Sequence, residues 1–413
     1  MTVPEVADAQ TMARERRMVA LIGAVQFVNV LDFVMVMPMG PDFAAALHID
    51  LTKLGAIGGA YTLAAAVSGL ICSLFLDRFD RRPALALSLA GLAVGTAAGG
   101  LAWDLPSLLA ARVLAGAFGG PATALAMSLV ADVVPVQRRG RAMGAVMGAF
   151  SVASVVGIPA GLELARLGGW RAPFFAVAGL GLVINAFALK LLPSMRAHVA
   201  AATAKPIALR DAVEMFTRRE FWLCYAMAIS GMMSAFLLIP HLSSYCQYNL
   251  GMPREHLGML YFWGGAVSFF SMRLAGRAVD KLGALGITVL ATLIFAGVLW
   301  TGFWHWTGAI PVIGVFVPYF IANSMRNVAF NATVSKVPKP FERARFMSAM
   351  SAVQHLSAAA GAFLSSQMLT EMPSHRLAGT SGLALLAFAV GATLPLWVGL
   401  VERQVRLVAV VPA

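Results

Sequence analysis

The chain is predicted to be an all-α membrane protein, with twelve transmembrane helices in two six-helix bundles related by pseudo-twofold symmetry. Three observations predict it. Of the 413 residues, 59% are hydrophobic and only 12% are charged, against roughly 25% charged in a water-soluble domain. Apolar runs recur along the chain at the length of about 20 residues that a hydrocarbon layer about 30 Å thick demands, and the length holds roughly twelve of them. The third observation is a repeat. Asp77 recurs as Asp280, RAMGA at 141–145 recurs as RFMSA at 345–349, and the same offset lays Gly157 on Gly361. One membrane-embedded unit used twice accounts for a repeat of this length.

The first helix, about 18–46, carries Gln26, Asn29 and Asp32 at intervals of three, along one side that must face protein or a water-filled cavity. Pro38 and Pro41 kink its far end. The second helix, about 54–76, runs into a burst of five ionisable side chains between 76 and 83: Asp77, Arg78, Asp80, Arg81 and Arg82. The third (84–102) and fourth (107–133) are joined by the tight turn 103–106, which puts Trp103 at interfacial depth. The fourth holds Arg112, Gly116 and Gly120, with Asp132 at its inner end, and a basic loop at 135–141 follows, ending in Arg141. The fifth places Gly144, Gly148, Gly157 and Gly161 around Pro159, a spacing that lets helices approach closely. The sixth, 173–192, closes the first bundle (18–192).

A polar stretch at 193–219 reads as a cytoplasmic linker, in which Leu209, Val213 and Phe216 can form a short helix on the membrane surface. The second bundle, 220–402, is predicted as helices near 221–245, 257–279, 285–303, 310–334, 346–368 and 377–400. Its own charged burst, GRAVDKLG at 276–283, contains Gly276, Asp280, Lys281 and Gly283.

The net charge of +12 raises the possibility of a nucleic-acid partner. Its distribution excludes one. If the first helix leaves the cytoplasm and the spans alternate, 24 of the 31 Lys and Arg fall in inner loops and termini, 5 in outer loops and 2 within helices. That is the asymmetry of a multi-pass protein with both termini cytoplasmic. Cys72, Cys224 and Cys246 show neither a pairing pattern nor metal-ligand spacing, so no metal is expected. The first apolar run is too long for a cleaved signal and should be retained.

Among candidate functional residues Asp32 stands out, because a carboxylate near a helix centre costs about 2.5–3.5 kcal/mol to insert and is rarely kept without a use. At that depth it can load and release a proton. Arg112 cannot shed its charge to escape the same cost. Gln26, Asn29, Ser234, His241, Asn323, Arg326, Asn327 and His355 suit a substrate cavity, and methionines such as Met35 and Met233 suit a pliable wall. Asp77, Arg78, Arg81, Arg82, Asp132, Arg141, Asp280, Lys281 and Arg345 cluster at inner helix ends, where ion pairs made in one conformation and broken in another form a gate.

These motifs together resemble the major facilitator superfamily, and within it the bacterial proton-coupled drug and metabolite exporters with twelve helices. The likeness covers nearly the whole chain. The family's loop signature is read in Ser73, Asp77, Arg78, Asp80, Arg81 and Arg82, and more faithfully in Gly276, Asp280, Lys281 and Gly283. Asp80 stands at the family's turn glycine, where a left-handed backbone is expected, a conformation Asp tolerates. Arg112 with Gly116 resembles the helix-4 motif implicated in proton transfer. Gly157, Pro159 and Gly161 resemble the helix-5 exporter motif, with Ile158 interrupting its Gly-Pro pair.

The resemblance implies a monomer in the bacterial inner membrane that exports a small organic molecule by alternating access. Proton entry supplies the drive, with Asp32 as the proton-sensitive group and Arg112 as its electrostatic modulator. An importer of an organic anion drawn by Arg326 and Arg112, and a non-transporting sensor or scaffold, are rival readings on the same fold. No HExxH, GxSxG or Gly-rich phosphate loop is present, so neither an enzyme nor a cofactor is expected.

Overall fold

A backbone surrounded by hydrocarbon must satisfy its own polar groups, and helices do so within one segment. The computed structural model describes residues 3–73, 79–192, 215–338 and 343–410. Among these it forms twelve long helices: α1 Val3–Val36, α2 Leu54–Ser73, α3 Arg81–Gly100, α4 Leu105–Val133, α5 at 136–168, α6 Ala172–Leu191, α7 at 219–249, α8 at 257–282, α9 at 284–304, α10 Val312–Val334, α11 Arg343–Met368 and α12 at 380–410. The described residues contain one two-stranded hairpin, β1 Thr370–Glu371 with β2 Leu377–Ala378, in the connection between α11 and α12. The chain is a multi-pass membrane protein.

Nine helices among the described residues are long and apolar enough to cross a membrane. The longest of these, 254–304, is two helices that meet at Gly283, whose φ of 81° and ψ of 159° break the turn. α10 and α11 are less apolar because they carry Asn323, Arg326, Asn327, Asn331, Gln354 and His355. α1 starts well before the expected position near residue 18, since the segment ahead of its apolar run is rich in Ala, Glu, Met and Arg, all good helix formers. It stops at Val36, and a short helix Gly40–Leu47 follows the turn at Pro38. α7 breaks likewise, its regular part ending at Phe236 just before Pro240.

The two bundles repeat each other's contacts. α4 packs on α2 through Gly116 and Gly120, which lie against the carbonyls of Tyr61 and Ala65; in the second bundle α10 packs on α8 where Phe320 covers Gly264. α5 meets α1 at Gly157 and Leu31, and α11 meets α7 at Gly361 and the Met233 carbonyl. Between bundles, α2 packs on α11 and α8 on α5, contacts that exchange when the halves are swapped. This is the pattern of a pseudo-twofold axis.

The two halves of the loop motif differ in backbone. Gly283 takes the positive φ, but Asp80 does not: at φ −60°, ψ 126° it is extended and N-caps α3 by accepting from the Arg82 amide at 3.1 Å. An N-cap requires a non-helical backbone and an acceptor side chain, which Asp supplies without a left-handed turn. In the second half the cap on α9 comes from afar, Glu402 of α12 accepting from the Ala284 amide at 3.0 Å.

Of the predicted linker, 193–214 lies outside the described residues, and with it most of the expected surface helix. Asp77 and Arg78 also lie outside the described residues, as do the side chains of Arg141 and Arg345.

Candidate functional site

Asp32 is fully buried in the first bundle. A carboxylate in such a place needs a charge partner and hydrogen bonds on its remaining lone pairs, and α4 and α3 provide both. Arg112 Nη1 donates to Asp32 Oδ1 and Nη2 to Oδ2, each at 3.1 Å, and Nη2 also reaches the Asp32 carbonyl at 3.4 Å. The Thr96 hydroxyl donates to Oδ1 at 2.7 Å. Arg112 is only 1% exposed, so it is held inside the bundle and does not snorkel to the interface.

The guanidinium lies over the Tyr61 ring, 4.6 Å from its centroid. The Tyr61 hydroxyl donates to Asn29 Oδ1 at 3.0 Å, and Asn29 Nδ2 donates in turn to the Gly119 carbonyl and the Thr123 hydroxyl of α4. Tyr61 also stacks on Phe33 at 5.2 Å, and Phe33 stacks on Phe236 of the second bundle at 5.9 Å. A continuous line of contact therefore runs from the buried ion pair to the seam between the bundles.

The second bundle has a different polar centre. Arg326 of α10 is 4% exposed and sits over the Phe295 ring at 4.8 Å. Its Nη2 donates to the Ser234 hydroxyl and the Gly391 carbonyl, both at 3.1 Å. No hydrogen-bond partner meets Nε or Nη1 among the described residues. His241 lies near the predicted outer face, its Nε2 3.0 Å from the Ser365 hydroxyl of α11.

Gln26, Asn29, Ser234, His241 and Arg326 are thus inside the bundles, whereas the sequence placed them on a cavity wall. An apolar background with polar insertions marks a protected helix side without saying whether protein or water protects it. Gln26 is buried with its Oε1 unpartnered among the described residues. Asn327 is exposed, and Asn323 and His355 are half-buried; Asn323 bonds the Tyr319 carbonyl of its own helix, and His355 the Ser351 carbonyl.

At the predicted inner face, Arg81 Nε lies 2.5 Å from Asp132 Oδ2, tying the start of α3 to the end of α4. Arg82 donates to the Leu189 carbonyl of α6. Asp280 and Lys281 are exposed, with Gly276 half-buried above them. In α5, Ala153–Gly157 forms a π-turn directly ahead of Pro159, and Gly161 lies near Met35 of α1. The missing amide of Pro159 leaves the ladder room to widen there.

At the predicted outer face the bundles are bolted together. Arg254 grips Asp42 with Nε at 2.7 Å and Nη2 at 2.5 Å. The Leu51 amide donates to Glu371 Oε2 at 2.6 Å and the Ala56 amide to the Ser366 hydroxyl at 2.9 Å. Sequence reasoning missed Tyr61, Thr96, Asp42, Arg254 and Glu371, which look like ordinary interfacial or packing residues until the helices are docked. Asn331 had a signal: it extends Asn323 and Asn327 by another step of four.

A model of the Major Facilitator Superfamily matches residues 22–362. The chain is 28% identical over 259 residues to the chloramphenicol resistance protein of Streptomyces lividans, a match covering 62% of this chain and 65% of that one. It is 31% identical over 168 residues to the tetracenomycin C resistance and export protein of Streptomyces glaucescens, covering 41% and 31% of the two chains. In fold it is similar to a bacterial homolog of the human lysosomal transporter Spinster in its inward-facing, unoccupied conformation, with a TM-score of 0.74, 15% identity, and 94% and 97% coverage.

Proposed function

The chain belongs to the Major Facilitator Superfamily, and from that premise we propose that it exports a small organic molecule across the bacterial inner membrane by alternating access, driven by proton entry. The observation that carries the proposal is the buried Asp32–Arg112 pair with Thr96 on its flank. Maintaining two charges at membrane depth is costly, and a hydrophobic pair of similar volume would hold the helices as well. A carboxylate whose partner is a permanently charged guanidinium changes the local charge by one when it takes a proton.

Protonated Asp32 keeps only part of its hold on Arg112. The guanidinium then shifts on the Tyr61 ring, and Tyr61, Phe33 and Phe236 carry the displacement to the seam between bundles. Rocking of one bundle against the other about a central site is the motion such folds use. With the Lys- and Arg-rich face inside, the Asp42–Arg254 and Glu371–Leu51 contacts close the outer side. Arg81 with Asp132, and Asp280 with Lys281, then belong to the inner gate, together with Asp77, Arg78, Arg141, Arg345, Gly276 and Gly283. The similarity to the tetracenomycin C resistance and export protein supports export as the direction. The transporter acts as a monomer with lipid around it.

The test is flux in proteoliposomes containing a trapped pH indicator. With an imposed proton gradient, adding substrate from a panel that includes chloramphenicol should accelerate proton movement through the native protein and not through Asp32→Asn. Unchanged substrate-driven flux in the variant would remove Asp32 from the coupling step.

A further inference from the structure

The two bundles differ in charge at equivalent positions. Asp32 precedes the helix-ending Pro38 by six residues, and Ser234 precedes the helix-ending Pro240 by the same interval. In the first bundle the carboxylate answers Arg112. In the second, the arginine that reaches this level, Arg326, finds a hydroxyl instead. Among the described residues no carboxylate pairs with Arg326, and its Nε and Nη1 are both buried and unpartnered. The first bundle is therefore neutral at its centre and the second carries one uncompensated positive charge. At such depth that charge is weakly screened.

The same helix offers a polar surface beside it. Asn323, Asn327 and Asn331 step along α10 at intervals of four. Asn327 and Asn331 are exposed, and Asn331 Nδ2 donates to the Asn327 carbonyl at 2.9 Å. Carboxamides at membrane depth do not face hydrocarbon, so this stripe borders water. α10 is also among the helices that fall short of the hydropathy of a lipid-wrapped span.

Resting on the reading of this chain as a transporter of small molecules, we infer that its substrates are anionic or neutral acceptor-bearing molecules, that organic cations are disfavoured, and that Arg326 beside the Asn323–Asn327–Asn331 stripe sets this preference. Asp32 offers no comparable attraction to a cation, because Arg112 already answers it. Arg326 acts through its field on whatever occupies the water-lined side of α10, while Ser234, Gly391 and Phe295 hold the guanidinium in place.

The test is equilibrium dialysis of the purified full-length protein in detergent near neutral pH with three probes of one shape: naphthalene-2-carboxylate, 2-naphthamide and 2-naphthylmethylammonium. The native protein should bind the carboxylate at least about tenfold more tightly than the ammonium, with the amide between them. Two variants should each bring that ratio to within about threefold. Arg326→Gln removes the charge, and Ser234→Asp supplies the carboxylate that the first bundle already has. Arg326→Lys should keep the preference. Each variant is first shown to be folded by a single sharp size-exclusion peak, so that loss of one still leaves the other to decide. The inference is overturned if the native protein binds the ammonium as tightly as the carboxylate or binds none of the probes. It is equally overturned if the preference survives in either folded variant of the pair. The assay has no membrane and no gradient, so a failure of proton-coupled export, read by flux, and a failure of anion preference, read by dialysis, are separate results.

Discussion

Arg112 has three acceptor contacts on Asp32 and an aromatic face beneath it, and all of them sit where water does not reach. Removing one member of such a pair strands the other as an uncompensated buried charge, at a cost of about 3–5 kcal/mol. Arg112→Ala should therefore lower unfolding stability in detergent by that amount, while the Asp32→Ala/Arg112→Ala double variant should be more stable than Arg112→Ala alone. A double variant as weak as the single one would mean that the pair does not act as a unit. Both residues were identifiable in the sequence, because charge inside an apolar run is conspicuous. Their pairing was not, since they stand 80 residues apart and apolar periodicity does not fix how two helices rotate against each other. Thr96 gave no signal, for a threonine in an apolar helix is unremarkable.

At the level of elements, the loop motif shows one turn solved in two ways. Gly283 holds φ at 81° and ψ at 159° between α8 and α9, a region essentially reserved for glycine that costs an L side chain about 1–3 kcal/mol. Asp80 caps α3 with its side chain from an extended backbone. The substitutions should separate accordingly. Gly283→Ala should destabilise by about 1–3 kcal/mol, whereas Asp80→Gly should cost a few tenths and Asp80→Ala about 1 kcal/mol, all read from denaturation curves of the purified protein. The sequence aligned the two motifs correctly but could not tell that Asp80 abandons the left-handed turn, because capping depends on where the next amide points. Helix number was legible from apolar runs. The early start of α1 was not, since its leading turns are polar and carry no hydrophobic signal.

At the scale of the whole molecule, the two bundles meet through α2 with α11 and α5 with α8, and polar bolts at the predicted outer face fasten them. If transport needs that face to part, tethering it must stop the cycle. In a Cys72→Ser background, which removes the half-buried native thiol, Asp42→Cys with Arg254→Cys should be joined by a short thiol-reactive cross-linker, with transport lost on joining and restored on reduction. Transport that continues while cross-linked would exclude opening at this face. The duplication was readable from offsets in the sequence, yet the closed face was not, since Asp42, Arg254 and Glu371 lie in connections whose docking only the packed bundles define.

Glu371 belongs to the second bundle, but the amide it receives opens the helical start of α2 in the first, alongside Asp50, which takes the neighbouring Thr52 amide at 2.7 Å. A helix beginning leaves several amides in want of an acceptor, and here one is supplied by the opposite half of the molecule. Each time the halves separate at that end, Leu51 must turn to solvent or its turn must fray. Deuterium uptake at Leu51 should therefore rise and fall with the transport cycle while Thr52, served locally by Asp50, stays protected. A single backbone amide becomes a clock for the position of the entire protein.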